Sequence, residues 1–276
     1  MLSTPILFIL FLGAFLSLAL FRFYHLKRKE KAKSLQGLAT LTLLIDIIKL
    51  TQQHRGLQSG LLNGQSQVLN DLIKQEQSLN SQYQMLMNDK MMGDKVSRRL
   101  ISKAYTQWQN VLNKPSPDIN RNFHQHSRLI QRLLDCLWDL ADEYSLTSHR
   151  DKQIQILSND LVRTLPELTE AIGQVRAITL QITNTKYCSA DKKLQLLFTL
   201  GKIKRDLTQI EHKLDQNRYL KLLSFIKEVT QSVEDHALGN RNPEAFFAEA
   251  SLHMEVIFNE IRAGFEDLQG KISNAS

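Results

Sequence analysis

LTLLIDIIKLTQQHRGLQSGLLNG, residues 41 to 64, decides the fold, because its apolar residues recur every three or four positions. That spacing is typical of the buried face of an α-helix. Arg55 continues the apolar face, since at 100° per residue it lies within about 20° of Leu44 and Ile48 on the helical wheel. An unpaired guanidinium inside a protein costs several kcal/mol. The sequence therefore predicts that Arg55 has an inward partner.

The same helical spacing dominates the chain of 276 residues from Ser34 onward, with no convincing alternating strand. Glycine and proline are sparse, so the breaks between helices stand out. Proline-containing turns are predicted at 113–118 and 238–244, a helix end at 63–66 and a helix N-cap at Ser189. These elements predict an all-α fold, an antiparallel four-helix-type bundle built from two helical hairpins over residues 38–272.

An internal repeat relates the two halves of this predicted bundle. Each half has an arginine on an apolar helix, followed after 68 or 71 residues by a phenylalanine that precedes a serine by four positions. The three residues are Arg55, Phe123 and Ser127 in the first half and Arg176, Phe247 and Ser251 in the second. The repeat predicts two hairpins related by an approximate two-fold axis, with both proline turns at one end.

The N-terminal segment differs from the rest of the chain. After a short tail, 1–4, residues 5–21 are 17 apolar or small residues without a charge, which predicts a transmembrane anchor rather than a cleaved signal peptide. The basic linker that follows, 22–37, carries six basic residues and one acid between Arg22 and Lys33, a net +5 of the total +7. This charge favours a single-pass inner-membrane protein whose bundle faces the cytoplasm.

Other chemistry has little support in the sequence. The nucleotide-binding, zinc-protease and serine-hydrolase motifs are absent, so no enzyme, cofactor or metal is expected. The basic residues cluster beside the anchor, which argues against a nucleic-acid partner. Cys136 and Cys188 are interpreted as two free thiols, with a disulfide conceivable only if the topology is reversed. His124 and His126 are interpreted as solvent-facing.

Three stretches carry a resemblance to a known family. LTQQHRGLQSGLLNG, residues 50–64, resembles the first-helix signature of the nitrate- and nitrite-sensing (NIT) domain family. LPELTEAIGQVRAITLQI, residues 165–182, and NFHQHSRLIQRLLDCLWDLADEYSLTSHRD, residues 122–151, are similar to helices of NIT-like chemoreceptor sensor bundles. The chain departs from the family at His54, where glutamate is frequent, and at Ala177, where glycine is frequent.

The resemblance implies a helical bundle that binds nitrate or nitrite through inward-facing arginines, here Arg55 and Arg176. A planar guanidinium offers paired donors that match a planar oxyanion. Thr51, Ser59 and Thr179 are hypothetical supporting donors. The alternative is that each arginine pairs with an inward carboxylate, such as Asp46 or Glu170, or extends to solvent.

Two functions remain open from the sequence. The first is a membrane-anchored sensory module that binds nitrate or nitrite and signals by helix repacking. Because NIT-like sensors usually carry a downstream effector domain and this bundle runs nearly to the last residue, the signal is expected to pass to an unidentified effector protein, with a homodimer as a further possibility. The second is a non-sensing helical adaptor or scaffold tethered to the membrane.

Overall fold

The computed structural model describes residues 4–88, 95–211 and 214–274, and these residues form an all-α fold, as predicted. The predicted tail falls mainly on residues 1–3, which lie outside the described residues. The helices are α1 (Thr4–Leu62), α2 (Leu69–Asn88), α3 (Lys95–Asn113), α4 (Ile119–Glu143), α5 (Lys152–Asn159), α6 (Leu165–Thr185), α7 (Ala190–Ile210), α8 (Gln216–Glu234) and α9 (Pro243–Asn274). A π-helical turn, Asp160–Thr164, joins α5 to α6.

Four long helices, α1, α4, α6 and α9, pack around one apolar core. Each contributes a stripe of side chains removed from water, such as Leu44 of α1, Leu133 of α4, Ile172 of α6 and Ile257 of α9. The long helical stretch that follows the arginine helix in each half consists of two helices, α2 and α3 in the first half and α7 and α8 in the second. The pair α2 and α3 packs outside α1 and α4, while α7 of the second pair packs against α6.

The two halves are built alike, in agreement with the sequence repeat. In the first half α1 runs antiparallel to α4, because Ser34 of α1 donates to the carbonyl of Tyr144 at 3.1 Å while Arg55 meets Ser127. In the second half α6 runs antiparallel to α9, and Arg176 meets Ser251 in the same way. Both proline turns therefore lie at the end of the bundle nearer to the arginines.

The predicted helix boundaries are present and have local causes. Asp118 caps α4 by accepting a hydrogen bond from the Arg121 amide, and Ser189 caps α7 by accepting one from the Lys192 amide. α1 ends at Leu62, and Gly64 follows with a φ of +88°, a conformation that side chains other than glycine adopt rarely.

α1 is one unbroken helix from Thr4 to Leu62, so the predicted basic linker is helical. Its side chains are exposed between Phe11 and Lys29, and burial in the bundle begins near Ser34. By length and composition α1 is a candidate membrane span over Phe11–Leu62, and 56% of the apolar window that meets this test is buried in the bundle. A rigid helix therefore connects the apolar segment directly to the core of the bundle.

The approach of α1 to the end of α4 predicts a large effect of one methyl group. A Cβ at Gly37 would lie 2.3 Å from the ring of the buried Tyr144, whereas a Cβ at Gly201 of α7 would meet nothing closer than 3.8 Å. We expect Gly37→Ala to lower the free energy of unfolding by about 1–3 kcal/mol through overpacking. The matched control Gly201→Ala should raise it by about 0.5–1 kcal/mol, because alanine favours the helix.

Denaturation of the purified full chain in detergent, followed by tryptophan fluorescence, measures both effects. Equal stability of the two variants would contradict the close packing at Gly37.

Candidate functional site

A buried ion pair joins α1 to α6 at the centre of the bundle. Nη1 and Nη2 of Arg55 donate to Oε1 and Oε2 of Glu170 at 2.7 and 3.1 Å, and Arg55 is only 1% exposed. Gln52 and Gln174 donate to the same carboxylate at 3.1 and 2.9 Å, so Glu170 accepts four hydrogen bonds. The predicted alternative of an internal carboxylate partner is thus realised at Arg55. Asp46, the other candidate, pairs with Arg262 at 2.8 Å instead.

Arg176 of α6 is buried beside this pair, and among the described residues it donates hydrogen bonds only to neutral oxygens. Nη1 donates to the hydroxyl of Ser251 at 2.7 Å, and Nη2 donates to the backbone carbonyl of Gln52 at 3.0 Å. Burial and the neighbouring charge of Arg55 lower the pKa of Arg176 to about 9, with Glu170 opposing the shift. The guanidinium therefore stays charged at neutral pH without a carboxylate bonded to it.

Glycines line the crossing of α1 and α6 where the two guanidinium groups lie. A Cβ at Gly173 would lie 2.6 Å from Nη2 of Arg55, and a Cβ at Gly56 would lie 3.2 Å from Nη2 of Arg176. Each arginine thus lies over a glycine of the other helix. The structure brings together the two arginines that the resemblance singled out.

The residues of the sequence repeat surround the two arginines in equivalent ways. Arg55 lies over the ring of Phe123, with Cζ 5.5 Å from the centroid, and donates to Ser127 at 3.0 Å. Arg176 lies over the ring of Phe247 at 4.5 Å and donates to Ser251. Each aromatic face supplies an attraction for the cation. The sequence showed the spacing of phenylalanine and serine but not their contact with the arginines.

A cleft of about 470 Å³ opens onto Arg176 between α1, α2 and α9. Ser251 and Phe247 line it close to the arginine, and Lys49 lines it from α1. Lys49 pairs with Glu255 of α9 at 2.6 Å. This cleft gives a small solute access to one of the two buried guanidinium groups.

The three supporting donors suggested by the resemblance are all buried, but no hydrogen bond among the described residues joins them to either arginine. Thr51 donates to the carbonyl of Ile47 at 2.7 Å, one turn earlier in α1. The hydroxyl groups of Ser59 and Thr179 have no hydrogen-bond partner in the described part of the chain. Their role in binding stays a prediction.

A histidine pair next to Arg55 corrects one expectation from the sequence. His124 is exposed as expected, but His126 is fully buried, because α4 turns that position toward α1. Nδ1 of His126 lies 2.9 Å from the Asn122 carbonyl, so it carries a proton and leaves Nε2 to accept from Nδ1 of His54 at 2.8 Å. Nε2 of His54 then faces Glu76 at 3.3 Å.

Comparisons with known proteins bear on the fold. No protein-family model matches this chain, and no curated protein matches it. Among solved structures it is similar to the NasR transcription antiterminator, with a TM-score of 0.68 and 15% sequence identity over 92% of this chain and 74% of that one. At this identity the likeness shows the fold alone.

The buried histidine predicts a loss of stability in mild acid. Burial, reinforced by the neighbouring His54, lowers the pKa of His126 from 6.5 to about 3. Between these values the unfolded chain binds a proton that the folded chain does not, so stability should fall as the pH drops below about 6.5, by at most about 1.4 kcal/mol per pH unit.

His126→Gln should flatten this dependence in thermal unfolding between pH 6.5 and pH 4.5, whereas His124→Gln, at the exposed position, should leave the slope unchanged. Identical slopes in both variants would show that His126 does not cause the effect.

Proposed function

We propose that this chain is a membrane-anchored sensory module that binds nitrate or nitrite through its inward-facing arginines. The observation that carries the proposal is the buried guanidinium of Arg176, which lines a cleft and bonds only neutral oxygens of Ser251 and Gln52 within the described chain. A buried cation without an anionic partner is unfavourable, and an anion from solution would supply the missing charge. The proposal is for binding, with no catalytic step, cofactor or metal.

The choice of a planar oxyanion follows from the shape of the guanidinium. Its N–H groups form a rigid fork that matches two oxygens of a flat anion and matches a sphere poorly. Nitrate and nitrite have this shape, and the sequence around Arg55 resembles the NIT signature. The likeness to the NasR transcription antiterminator supports the helical scaffold and carries no argument about the ligand.

Signalling would use the helices that Arg176 ties together. Its guanidinium joins α6 to Ser251 of α9 and to Gln52 of α1, so an anion that competes for these donors changes the contacts of both helices. α1 and α9 meet again near the basic segment, where Lys31 donates to the carbonyl of Ser273 at 2.5 Å. A shift at the arginines would thus reach the membrane-proximal end, to be read by a separate effector protein or a second copy of this chain.

The adaptor alternative is favoured by a different observation. Leu194 and Phe198, one turn apart on α7, are 67% and 73% exposed, and large apolar side chains on one helix face favour protein contacts. A pure adaptor, however, has no use for Arg176, since an apolar residue of similar volume would pack there without the desolvation cost. The sensor function is therefore preferred, and the α7 face is compatible with its effector contact.

Ligand binding is expected to stabilise the folded chain. At 100 times the dissociation constant, an anion that binds only the folded state contributes about 2.7 kcal/mol. For a domain of this size the melting temperature should rise by about 5–10 °C. Nitrate and nitrite should produce the shift in the full chain purified in detergent, whereas chloride at equal ionic strength should not.

Arg176→Lys is the matched variant, because it keeps the charge and removes the planar fork. Its nitrate shift should fall to the chloride level while the protein remains helical by circular dichroism. The sensor proposal fails, and the adaptor takes its place, if nitrate and chloride give the same shift in the wild type.

The proposed topology has its own test. A net +5 beside the apolar segment opposes translocation of the bundle, which favours a cytoplasmic location. A C-terminal fluorescent-protein fusion should be bright, and an alkaline phosphatase fusion at the same residue should be inactive. The reverse pattern would place the bundle on the other side of the membrane.

A further inference from the structure

We infer that the anion binds in only one half of the two-fold-related core, on Arg176, Ser251 and Lys49, because the chain's own Glu170 fills the equivalent position in the other half. This inference rests on the proposed function and specifies its site. The repeat, the ion pair at Arg55 and the lining of the cleft carry it, one step each.

The first step is the correspondence between the halves. Arg55 and Arg176 occupy equivalent positions, as their contacts with Phe123 and Phe247 show. The residue six positions before Arg55 is Lys49, and the residue six positions before Arg176 is Glu170. The approximate symmetry therefore pairs a lysine of α1 with a glutamate of α6.

The second step is what Glu170 does in the first half. Its carboxylate lies on both terminal nitrogens of Arg55, and Nη1 of Arg55 also bonds Ser127. Arginine, serine and a planar two-oxygen anion thus form one complete unit. This unit shows how a flat anion fits the motif, since a carboxylate and nitrite have the same arrangement of two oxygens around one atom.

The third step is the second half, where the same unit lacks its anion. Arg176 bonds Ser251 as Arg55 bonds Ser127, but α1 presents Lys49 at the position that corresponds to Glu170. Lys49, Arg176 and Ser251 line the same cleft. No carboxylate of the described residues hydrogen-bonds Arg176. The lysine in place of a glutamate therefore removes the internal anion and adds a second cation. The two cations together attract an anion from solution.

The carboxylate of Glu255 competes with the ligand for the ammonium group of Lys49. It pairs with Lys49, and the two side chains are 43% and 18% exposed, so the pair lies at the mouth of the cleft rather than on Arg176. An incoming anion must share Lys49 with this carboxylate. Loss of the Glu255 charge should therefore strengthen anion binding, while loss of the Lys49 charge should weaken it.

The resulting site is for one planar oxyanion per chain. Because a carboxylate serves as the anion at Arg55, short carboxylates such as formate should compete with nitrate and nitrite for Arg176. Chloride cannot bridge the two terminal nitrogens and the serine in the same way.

Isothermal titration of the full chain in detergent with sodium nitrate tests the inference. The expected stoichiometry is one anion per chain, with formate as a competitor. Ser251→Ala and Lys49→Gln should each raise the dissociation constant about tenfold, the effect of losing one charged or charge-assisted contact. Glu255→Gln should lower it.

A variant at the serine of the other half tests whether the anion binds in one half or in both. Ser127→Ala removes the equivalent hydroxyl next to Arg55, and it should change the dissociation constant less than twofold. Lys202→Gln is the control for lost surface charge, because Lys202 forms a comparable interhelical pair with Glu167 at 3.0 Å outside the cleft.

Removal of the internal anion gives an independent readout. Glu170→Ala should free Arg55 and raise the stoichiometry from one nitrate to two, and nitrate should stabilise this variant more than the wild type. If the variant does not fold, the serine comparison decides alone.

Failure of the proposed function and failure of this inference give different results. If the wild-type chain binds no nitrate, the proposed function is wrong. A wild-type chain whose nitrate binding is weakened equally by Ser127→Ala and Ser251→Ala retains the function and overturns the inference, since the anion then bridges both halves.

Discussion

The ion pair between Arg55 and Glu170 is the interaction on which the rest of the bundle depends. Removing two charges from water is costly, and their attraction offsets that cost only when the geometry is good and the remaining hydrogen-bonding capacity is used. Both conditions are met, because Gln52 and Gln174 bond the carboxylate oxygens that Arg55 also bonds. Each of these side chains must therefore keep its register along α1 or α6, and this fixes the crossing of the two central helices.

Arg176 adds a second positive charge to the same region, and the core must tolerate it. Its hydrogen bonds go to a hydroxyl and a backbone carbonyl, its cation lies over Phe247, and Glu170 reduces the repulsion from Arg55. Local net charge is nevertheless positive, since the two arginines share one carboxylate. In a low-dielectric interior such an imbalance is a natural place for a ligand to act, because the ligand removes a cost that the folded chain otherwise carries.

The two halves show how a repeated unit can serve two purposes. The arginine, phenylalanine and serine are the same in both, and the residue six positions before the arginine differs in charge. In one half a glutamate bonds the arginine and ties α1 to α6. In the other a lysine leaves the guanidinium without a carboxylate and lines a cleft that reaches it. A rigid half lies beside an accessible half in a bundle whose α1 extends without interruption to the apolar N-terminal segment.

The sequence by itself determined the all-α class, the helix boundaries at the proline turns and at Ser189, the inward direction of both arginines and the repeat of phenylalanine and serine. These features are local, since they depend on periodicity and on capping residues next to each helix end. Only the tertiary structure decided which carboxylate meets Arg55, because Asp46 and Glu170 were equally plausible partners until the crossing of α1 and α6 was known. It also decided that His126 is buried, because packing between distant segments sets this outcome and no local pattern encodes it.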